Sequence, residues 1–541
     1  MRQVAFWLTL VIPALAVICG VWFGNFPLGV PREWEWDRIT PTGPISLTFV
    51  VPLAAGLLYI GFVWLGVQRI RVCRRAELAA WLGGLCICGF TWLWIAQESA
   101  PERYQLSKTV WVLFFRGSSG YYSEAVGPAR DLRTYLANYE DKMAEGDVLH
   151  IGTHPPGLVI VFRELLDACE ALPMVTDFVI ATEPDSVRES FAWFQQTARH
   201  AKNPLPRPDR AVLWLATLLL QASVVLTIVP LYGLLRRTVS RRASWLAVTF
   251  WPTVPALAVF IPKSDCLYPL LAIGFVWLWL TGLSHRSRVL CFLSGMTLWA
   301  SLVLSLAFLP VLLFTFLATI GNQLWRGGCP AVEPTAKVAH PLHFSVGKKI
   351  WQAVRSVFPS AAWAAAGFCV PCIVVLWRLK LNLFAVWWLN FHNHAEFYER
   401  YPRTFWKWLL VNPVEFAVAA GIALALLAVW SLLRQIQVRE NQTRDEAWAW
   451  LLTIGLLWLT CKNMGEVARL WIILMPFLVW IAGPLFDGPV GRPSDTLPRF
   501  EQQREFPAWN LLGRRGWMAA LALQLVTTAA IVTRVTGFHY P

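Results

Sequence analysis

Charged residues are scarce in this sequence, at 15% of 541 positions, whereas a soluble protein carries about a quarter. Hydrophobic residues make up 56% of the chain, and its mean hydropathy is +0.49. They recur in runs of about 20 residues, which is the length that a helix needs to cross a bilayer. The scarcity of charge excludes a soluble multi-domain protein, and the runs predict a polytopic α-helical membrane protein.

Acidic residues and disulfide signals are also few. The 33 Asp and Glu face 47 Lys and Arg, an excess that in a membrane protein marks cytoplasmic loops rather than a nucleic-acid partner. The 11 Cys fall mainly inside apolar runs, so no disulfide framework is implied. Cys369 and Cys372 have redox spacing but lie in a predicted span, where we interpret them as packing residues. The N-terminal run 1–24 has no clear cleavage site, which favours a retained span.

The apolar runs predict an all-α bundle of about 13 membrane helices, within a range of about 12 to 14. The predicted spans are 4–23, 46–67, 78–97, 211–235, 243–262, 265–284, 289–309, 310–325, 357–378, 412–433, 447–461, 468–485 and 517–534. The long run 289–325 is divided at Pro310 into a hairpin. Residues 157–169 begin apolar and then become charged, and a crossing there would place the loop 236–242 outside. An interfacial or re-entrant helix is therefore favoured over a span.

Basic loops give the orientation of these spans. They lie at 68–75, 236–242, 285–288, 348–349 and 514–515. Placing all of them in the cytoplasm gives a consistent alternation, as the positive-inside rule requires. The outward segments are then the loop 98–209 with short interfacial helices, the turns 261–265 and 462–469, and the loop 379–411. The chain divides into two N-terminal membrane helices (1–77), a core (78–485), and a cytoplasmic linker with the last helix (486–541).

Four polar motifs collect at the outward span ends. They are HIGTHPPG (150–157), IPKSD (261–265), the segment 390–408 and KNMGEVAR (462–469). Ionisable residues at such positions are costly unless they pair or line a cavity. Topology explains the basic loops on the inner side, but it does not explain these motifs, so the asymmetry predicts a site on the outer side.

The histidine motif and the acids upstream of it are candidate catalytic residues. Its two prolines fix the entry of the chain into the next helix and hold His154 near the membrane surface. There His154 can bind a phosphate or an acceptor hydroxyl, or it can be incidental to a helix start. A neighbouring carboxylate can act as general base. Most upstream acids suit a solvated amphipathic helix, but Glu124 lies among tyrosines and glycines, and Asp131 is the second candidate.

The two outward turns supply candidate phosphate-binding residues. Lys263 and Asp265 lie at the tip of a tight turn, either as a phosphate-binding lysine with an orienting carboxylate or as a plain ion pair. Glu466 and Arg469 are spaced to pair along a helix face. One interpretation is that they only neutralise each other, but the cost of placing both at a span end favours a functional role.

The segment 390–408 adds more candidates. Arg400 and Arg403 can clamp a phosphate or contact lipid headgroups. His392, His394 and Glu396 have a spacing that metal ligands use, but no second cluster of comparable strength accompanies them. No metal or cofactor is therefore predicted, although a divalent cation stays open.

In this order the motifs resemble the GT-C glycosyltransferases, which include protein O-mannosyltransferases and lipid A aminoarabinose transferases. Glu124 in GYYSEA and the HPPG of 154–157 are similar to the family's acidic loop and its HPPL or KPPL motif. The turn 260–268 looks like the P-x-x-D turn, and 465–471 looks like a late-span motif. The family has an acidic pair ahead of the tyrosine, whereas this chain has one Glu after it. The base is therefore open between Glu124, Asp131 and the loop EWEWD (33–37).

The resemblance, which covers about 78–485, implies an inverting glycosyltransferase of a bacterial inner membrane with its site facing the periplasm or exterior. It implies a polyprenyl-phosphate sugar as donor and a glycan, lipid or protein as acceptor, within membrane lipids and without nucleic acid. The base would take the acceptor proton, and Lys263, Arg403, Arg469 or His154 would stabilise the leaving lipid phosphate.

Two alternatives stay open. A transporter or flippase of lipid-linked sugars is disfavoured because no internal repeat is visible and mid-membrane charges are few. A polysaccharide polymerase or ligase is chemically close, and the sequence separates it poorly from a transferase.

Overall fold

The computed structural model describes residues 2–24, 28–39, 45–148, 151–197, 202–326, 346–437, 442–487, 512 and 515–538. Up to residue 200 its α-helices are Arg2–Phe23, Ile45–Arg69, Arg75–Glu98, Lys108–Phe114, Tyr121–Val126, Leu132–Ala137, Tyr139–Ala144, Gly157–Ala171, Pro173–Ala181 and Asp185–Gln196. The later α-helices are Arg207–Leu226, Ile228–Leu235, Arg241–Val248, Pro255–Phe260, Tyr268–His285, Arg288–Leu304, Leu309–Arg326, Val346–Leu379, Leu383–Arg400, Phe405–Ala420, Ile422–Gln437, Gln442–Leu459, Val467–Leu470, Met475–Ala482 and Gly516–Val532. The fold is thus the all-α membrane class that the apolar runs predict.

Eight helical segments in the described residues are long and apolar enough to cross a membrane. They are Gln3–Phe23, Thr48–Arg69, Arg75–Glu98, Arg207–Leu235, Arg241–Phe260, Ser264–His285, Leu306–Gln323 and Val354–Leu379. The predicted number of about 13 is not confirmed. Five predicted spans coincide instead with bent, broken, shorter or more charged helices, namely 289–309, 412–433, 447–461, 468–485 and 517–534.

The predicted span 412–433 is two helices, and the chain bends by 111° between them at Gly421. Gly421 has φ +88°, and a Cβ there would lie 2.0 Å from the Gln524 side chain. The buried Gln524 donates to the carbonyl of Ala420 at 2.8 Å and accepts from the amide of Leu424 at 3.2 Å. A break in a helix is tolerated at membrane depth when protein groups satisfy the freed backbone. Gln524 does so here, and this long-range partner is absent from the local apolar pattern.

Two other predicted segments also differ in detail from the sequence pattern. The run 289–325 breaks at Ser305, which has extended backbone and whose hydroxyl accepts from the amide of Ala307 at 3.1 Å. Pro310 instead lies in the first turn of the next helix, where its missing amide is not needed. The helix Gly157–Ala171 has 15 residues and is shorter than a crossing requires. The cytoplasmic linker predicted to begin at residue 486 lies largely outside the described residues.

A small β-hairpin follows the first helix. The strands Gly29–Val30 and Trp34–Glu35 pair antiparallel, with Gly29 opposite Glu35. Arg38 forms an isolated bridge with Val535, so the loop after the first helix is joined to the end of the last one. The turn of this hairpin contains Arg32 and Glu33, and both reach the cavity described below.

Candidate functional site

A cavity of about 700 Å³ opens between the ends of the helices and the short helices of the loop 98–209. Six of the predicted site residues line it: His154, Lys263, Arg400, Arg403, Glu466 and Arg469. They come from four motifs that are far apart in the sequence. Five basic side chains face two carboxylates in the wall, so the cavity is suited to an anion.

Lys263 forms one side of this basic wall. Its side chain is buried, and its ammonium group donates to the carbonyl oxygen of Ser118, which also lines the cavity. Burial and the neighbouring charge of Arg469 lower the pKa of Lys263 to about 7. A phosphate in the cavity would favour the protonated ammonium and would give it a charged partner in place of a neutral carbonyl.

Arg469 connects the turns 261–265 and 462–469. Its Nη2 lies 2.8 Å from the Glu466 carboxylate, and its Nε lies 3.9 Å from the carboxylate of Asp265. Asp265 itself is not among the residues that line the cavity. The predicted Glu466–Arg469 pair is therefore formed, whereas Lys263 bonds the Ser118 carbonyl instead of Asp265, and Asp265 lies next to Arg469.

The turn that presents Glu466 is unusual in its backbone. Gly465 and Glu466 have φ of +82° and +58°, and the short helix Val467–Leu470 follows directly. A non-glycine residue in this left-handed region is uncommon and persists where its surroundings hold it. The amide of Met464 donates to the Tyr398 hydroxyl at 3.0 Å. The amide of Ala468 donates to the buried Glu415 carboxylate at 2.9 Å.

Arg403 is part of the same support. Its guanidinium donates to the carbonyl oxygen of Met464 and lies within 5.7 Å of the ring centroids of Trp34, Phe397 and Trp408. This arrangement leaves little freedom for the arginine side chain. Arg403 thus holds the Glu466 turn in place as well as lining the cavity.

The Glu33 carboxylate is occupied by hydrogen bonds that join the hairpin to the segment 404–408. Its carboxylate accepts from the amide and hydroxyl of Thr404 at 2.8 and 2.6 Å and from the Trp408 indole at 2.8 Å. Burial opposes its ionisation, but these bonds and that from Lys407 outweigh burial and lower the pKa of Glu33 to about 2. A carboxylate so stabilised is a weak proton acceptor.

His154 reaches the cavity from the diproline motif. Its Nδ1 lies 3.0 Å from the Thr153 hydroxyl, and its ring packs edge-on against Tyr121 at 5.9 Å. Its carbonyl accepts from the Tyr139 hydroxyl at 2.9 Å. Gly157 ends the motif, where a Cβ would come within 2.4 Å of the carbonyl oxygen of Val303. The motif is therefore packed closely on both sides, and its prolines give the helix Gly157–Ala171 a fixed start.

The two predicted bases lie elsewhere. Glu124 is buried and forms ion pairs with Lys142 and with Arg116, the latter at 3.4 Å, and it accepts from the Tyr135 hydroxyl at 3.3 Å. Asp131 is exposed and caps the helix Leu132–Ala137, where hydrogen bonds from Thr134 lower its pKa. Neither residue lines the cavity. Of the EWEWD loop, Glu33 lines it, whereas Glu35 and Asp37 do not.

The cavity also contains residues that the sequence analysis did not place there. Arg32 lines it from the tip of the hairpin, with φ +69°. His394 lines it too, and burial followed by the charge of Lys462 lowers the pKa of this imidazole. Aromatic side chains form the remaining wall: Trp34, Phe397, Tyr398, Tyr401 and Phe538. The available signal was the density of Trp and Tyr in EWEWD and in 397–408, which alone does not tell a site from a membrane belt.

No group of three or more His, Cys, Asp or Glu in the described part of the chain is arranged to hold a metal ion. His392 and Glu396 are 3.6 Å apart along their helix, and Glu396 also lies 3.5 Å from Arg400. These contacts form an ion-pair row on the surface of the helix Leu383–Arg400.

The fold and the cavity together define an all-α integral membrane protein with a basic, aromatic-lined cavity at one end of its helices. Comparisons with protein-family models, with curated proteins and with solved structures find no match for this chain. No family is therefore shown, and the GT-C resemblance of its motifs stays a prediction.

Proposed function

We propose that the protein is a membrane glycosyltransferase that moves a sugar from a polyprenyl-phosphate donor to an acceptor on the outer side of the membrane, with inversion. The observation that supports it best is the meeting of Lys263, Arg469 and Glu466 in one cavity. A transferase of this kind needs cations for the leaving phosphate and a carboxylate for the acceptor proton, and both are in the same wall.

The phosphate would bind at the basic wall. Lys263 has a neutral carbonyl as its hydrogen-bond partner, whereas Arg469 already lies between two carboxylates. Lys263 therefore gains most from an incoming phosphate and is the first contact to the leaving group. Arg32 and Arg400, which are exposed in the wall, would add charge where the donor enters.

Glu466 is the proton acceptor that the cavity favours. Its carboxylate lines the cavity and is 24% exposed, whereas Glu124 is 2% exposed within its own ion pairs. In the step we propose, the acceptor hydroxyl gives its proton to Glu466 and its oxygen bonds to the anomeric carbon. The bond from that carbon to the phosphate oxygen breaks, and polyprenyl phosphate leaves toward Lys263. Attack from the side opposite the phosphate inverts the anomeric centre.

The test is transfer of labelled sugar from a polyprenyl-phosphate sugar by the purified protein. Glu466→Gln is expected to lower kcat by roughly 10²- to 10⁴-fold, because a positioned general base contributes about that much. Glu124→Gln is the matched control. It removes a carboxylate of the same type outside the cavity, and we expect the folded fraction, judged by thermal unfolding, to keep its turnover.

Two results would change this proposal in different ways. Loss of transfer in Glu124→Gln or Asp131→Asn, with full transfer in Glu466→Gln, would return the base to the outer loop. Absence of transfer by the wild-type protein from every polyprenyl-phosphate sugar tested would overturn the transferase itself.

A transporter is less well supported. Transporters bind their substrates at the broken points of discontinuous helices, where free backbone groups face the substrate. Here the break at Gly421 is filled by Gln524, which bonds the backbone on both sides of it. The carbonyl of Ala420 and the amide of Leu424 are therefore already bonded within the protein.

A further inference from the structure

A second recess lies on the short helices that follow Glu98, and it shares no residue with the cavity. It has a volume of about 310 Å³ and is lined by two tryptophans and by polar side chains. We call it the tryptophan groove and define it by Glu102, Gln105, Trp111, Glu189, Ser190 and Trp193.

The tryptophans form its apolar side. Trp193 is 53% exposed. Its centroid lies 4.9 Å from that of Trp111, which stacks on Phe115 with an angle of 8° between the rings. Trp111 also packs against the buried Phe194. Trp111 is thus held by packing against Phe115 and Phe194, while the ring of Trp193 is exposed to solvent.

Hydrogen bonds hold three polar side chains of the groove in place. Ser190 donates to the carbonyl of Ser107 at 3.1 Å, Ser186 donates to the Glu98 carboxylate at 2.8 Å, and Gln105 donates to the Glu98 carbonyl at 3.0 Å. Over the described part of the chain, no hydrogen bond or ion pair engages the carboxylates of Glu102 and Glu189. Two acceptors with unused capacity therefore lie beside an exposed aromatic ring.

We infer that the tryptophan groove binds a neutral carbohydrate chain. A sugar ring presents C–H bonds on one face, which pack against the negative face of an indole, and hydroxyls at its edge, which donate to carboxylates. The groove offers both at once. It has two carboxylates against the single charge of Arg103, so an anionic glycan or an anionic lipid headgroup is disfavoured. This inference goes beyond the proposed transfer reaction and does not require it.

The test is binding of a panel of neutral hexasaccharides to the full-length protein in nanodiscs, measured by saturation-transfer NMR and by titration. The panel contains glucose, mannose and N-acetylglucosamine oligomers. Trp193→Ala is expected to weaken the best of them by roughly tenfold or more, and Trp193→Phe to weaken it less because an aromatic face remains. Trp377→Ala, which removes a more exposed tryptophan outside the groove, should leave binding unchanged.

Glu466→Gln should also leave this binding unchanged, which separates the groove from the cavity. Two results would overturn the inference. One is the absence of binding to every member of the panel, or equal binding by wild-type protein and Trp193→Ala. The other is weaker quenching of indole fluorescence by brominated lipids in Trp193→Ala than in the wild-type protein, because it would place the ring in the bilayer.

Discussion

Lys263 and Glu466 share one wall of the cavity, but their surroundings differ in a way that determines their chemistry. The ammonium group of Lys263 is buried and its pKa is lowered to about 7, since burial and the charge of Arg469 both disfavour the protonated form. The carboxylate of Glu466 is partly exposed and paired with Arg469 at 2.8 Å. Lys263 is therefore sensitive to pH near neutrality and to the charge of a ligand, whereas Glu466 is the carboxylate that we propose as proton acceptor.

Donor capture should depend on the protonation of Lys263. Its protonated fraction falls as pH rises through about 7, whereas a phosphodiester donor keeps its charge over this range. We expect kcat/KM to fall above that pH, because this ratio reports the pKa of the free enzyme. Lys263→Met should lower kcat/KM roughly 10- to 100-fold at pH 6.5, the value of a charge-assisted hydrogen bond.

Lys263→Arg is the control for that pH dependence. An arginine stays protonated, so the decline above neutral pH should disappear even if overall activity is reduced. An unchanged pH profile in Lys263→Met would show that another group, such as His154 or His394, is responsible.

Among the structural elements, the turn 462–466 is the one that makes the site. Its carbonyl and amide groups are bonded to Arg403, Tyr398 and Asn412, which belong to the helices Leu383–Arg400 and Phe405–Ala420 or to their connection. Gly465 is essential to this packing, because a Cβ there would lie 2.0 Å from the Arg403 guanidinium and φ is +82°. The position of Glu466 is thus set by residues that lie earlier in the chain than the turn.

Gly465→Ala should therefore cost activity more than stability. The added methyl group must displace Arg403 or the turn, and either shift moves the Glu466 carboxylate relative to the Lys263 ammonium. We expect transfer to fall at least tenfold, since small misplacements of catalytic groups are costly. Gly455→Ala is the matched control, because a Cβ at Gly455 meets nothing within 4 Å. Equal activity in the two variants would show that the turn does not position the reacting groups.

Over the whole molecule, the helix Tyr268–His285 relates the cavity to the opposite side of the membrane. The span Ser264–His285 begins beside Lys263 and ends at the basic segment 285–288, so the cavity and this segment face different compartments if the span crosses once. The positive-inside rule puts the basic segment in the cytoplasm. We therefore expect the cavity and the short helices after Glu98 to open on the outer side, where the proposed lipid-linked donor and its acceptor would meet.

Cysteine labelling in intact cells tests this orientation. A membrane-impermeant maleimide should label Glu145→Cys and Arg400→Cys from outside, because both positions are exposed on the cavity side. Arg286→Cys should react only after the membrane is permeabilised. Labelling of Glu145→Cys and Arg400→Cys in opposite compartments would contradict the shared cavity, and labelling of both only after permeabilisation would reverse the orientation.

The amino-acid sequence by itself was sufficient for the class of fold and for the segments that form the site. Apolar runs and loop charges are local properties, and polar residues are rare enough at span ends that His154, Lys263, Arg403, Glu466 and Arg469 stood out. Each of the eight long apolar helices coincides with a predicted span for the same reason.

Only the tertiary structure decided which acid reaches the cavity and where helices break. Glu124 and Glu466 look alike as local patterns, but Lys142 and Arg116 surround the first, whereas Arg403 and Tyr398 hold the turn that exposes the second. Glu33 is a poor candidate for the base because Thr404 and Trp408, which lie far along the chain, donate hydrogen bonds to its carboxylate. Gly421 breaks a predicted span because Gln524 bonds the freed backbone. In each case the deciding partner is distant in sequence, and hydrogen bonds and charge pairs form with whatever the fold brings near.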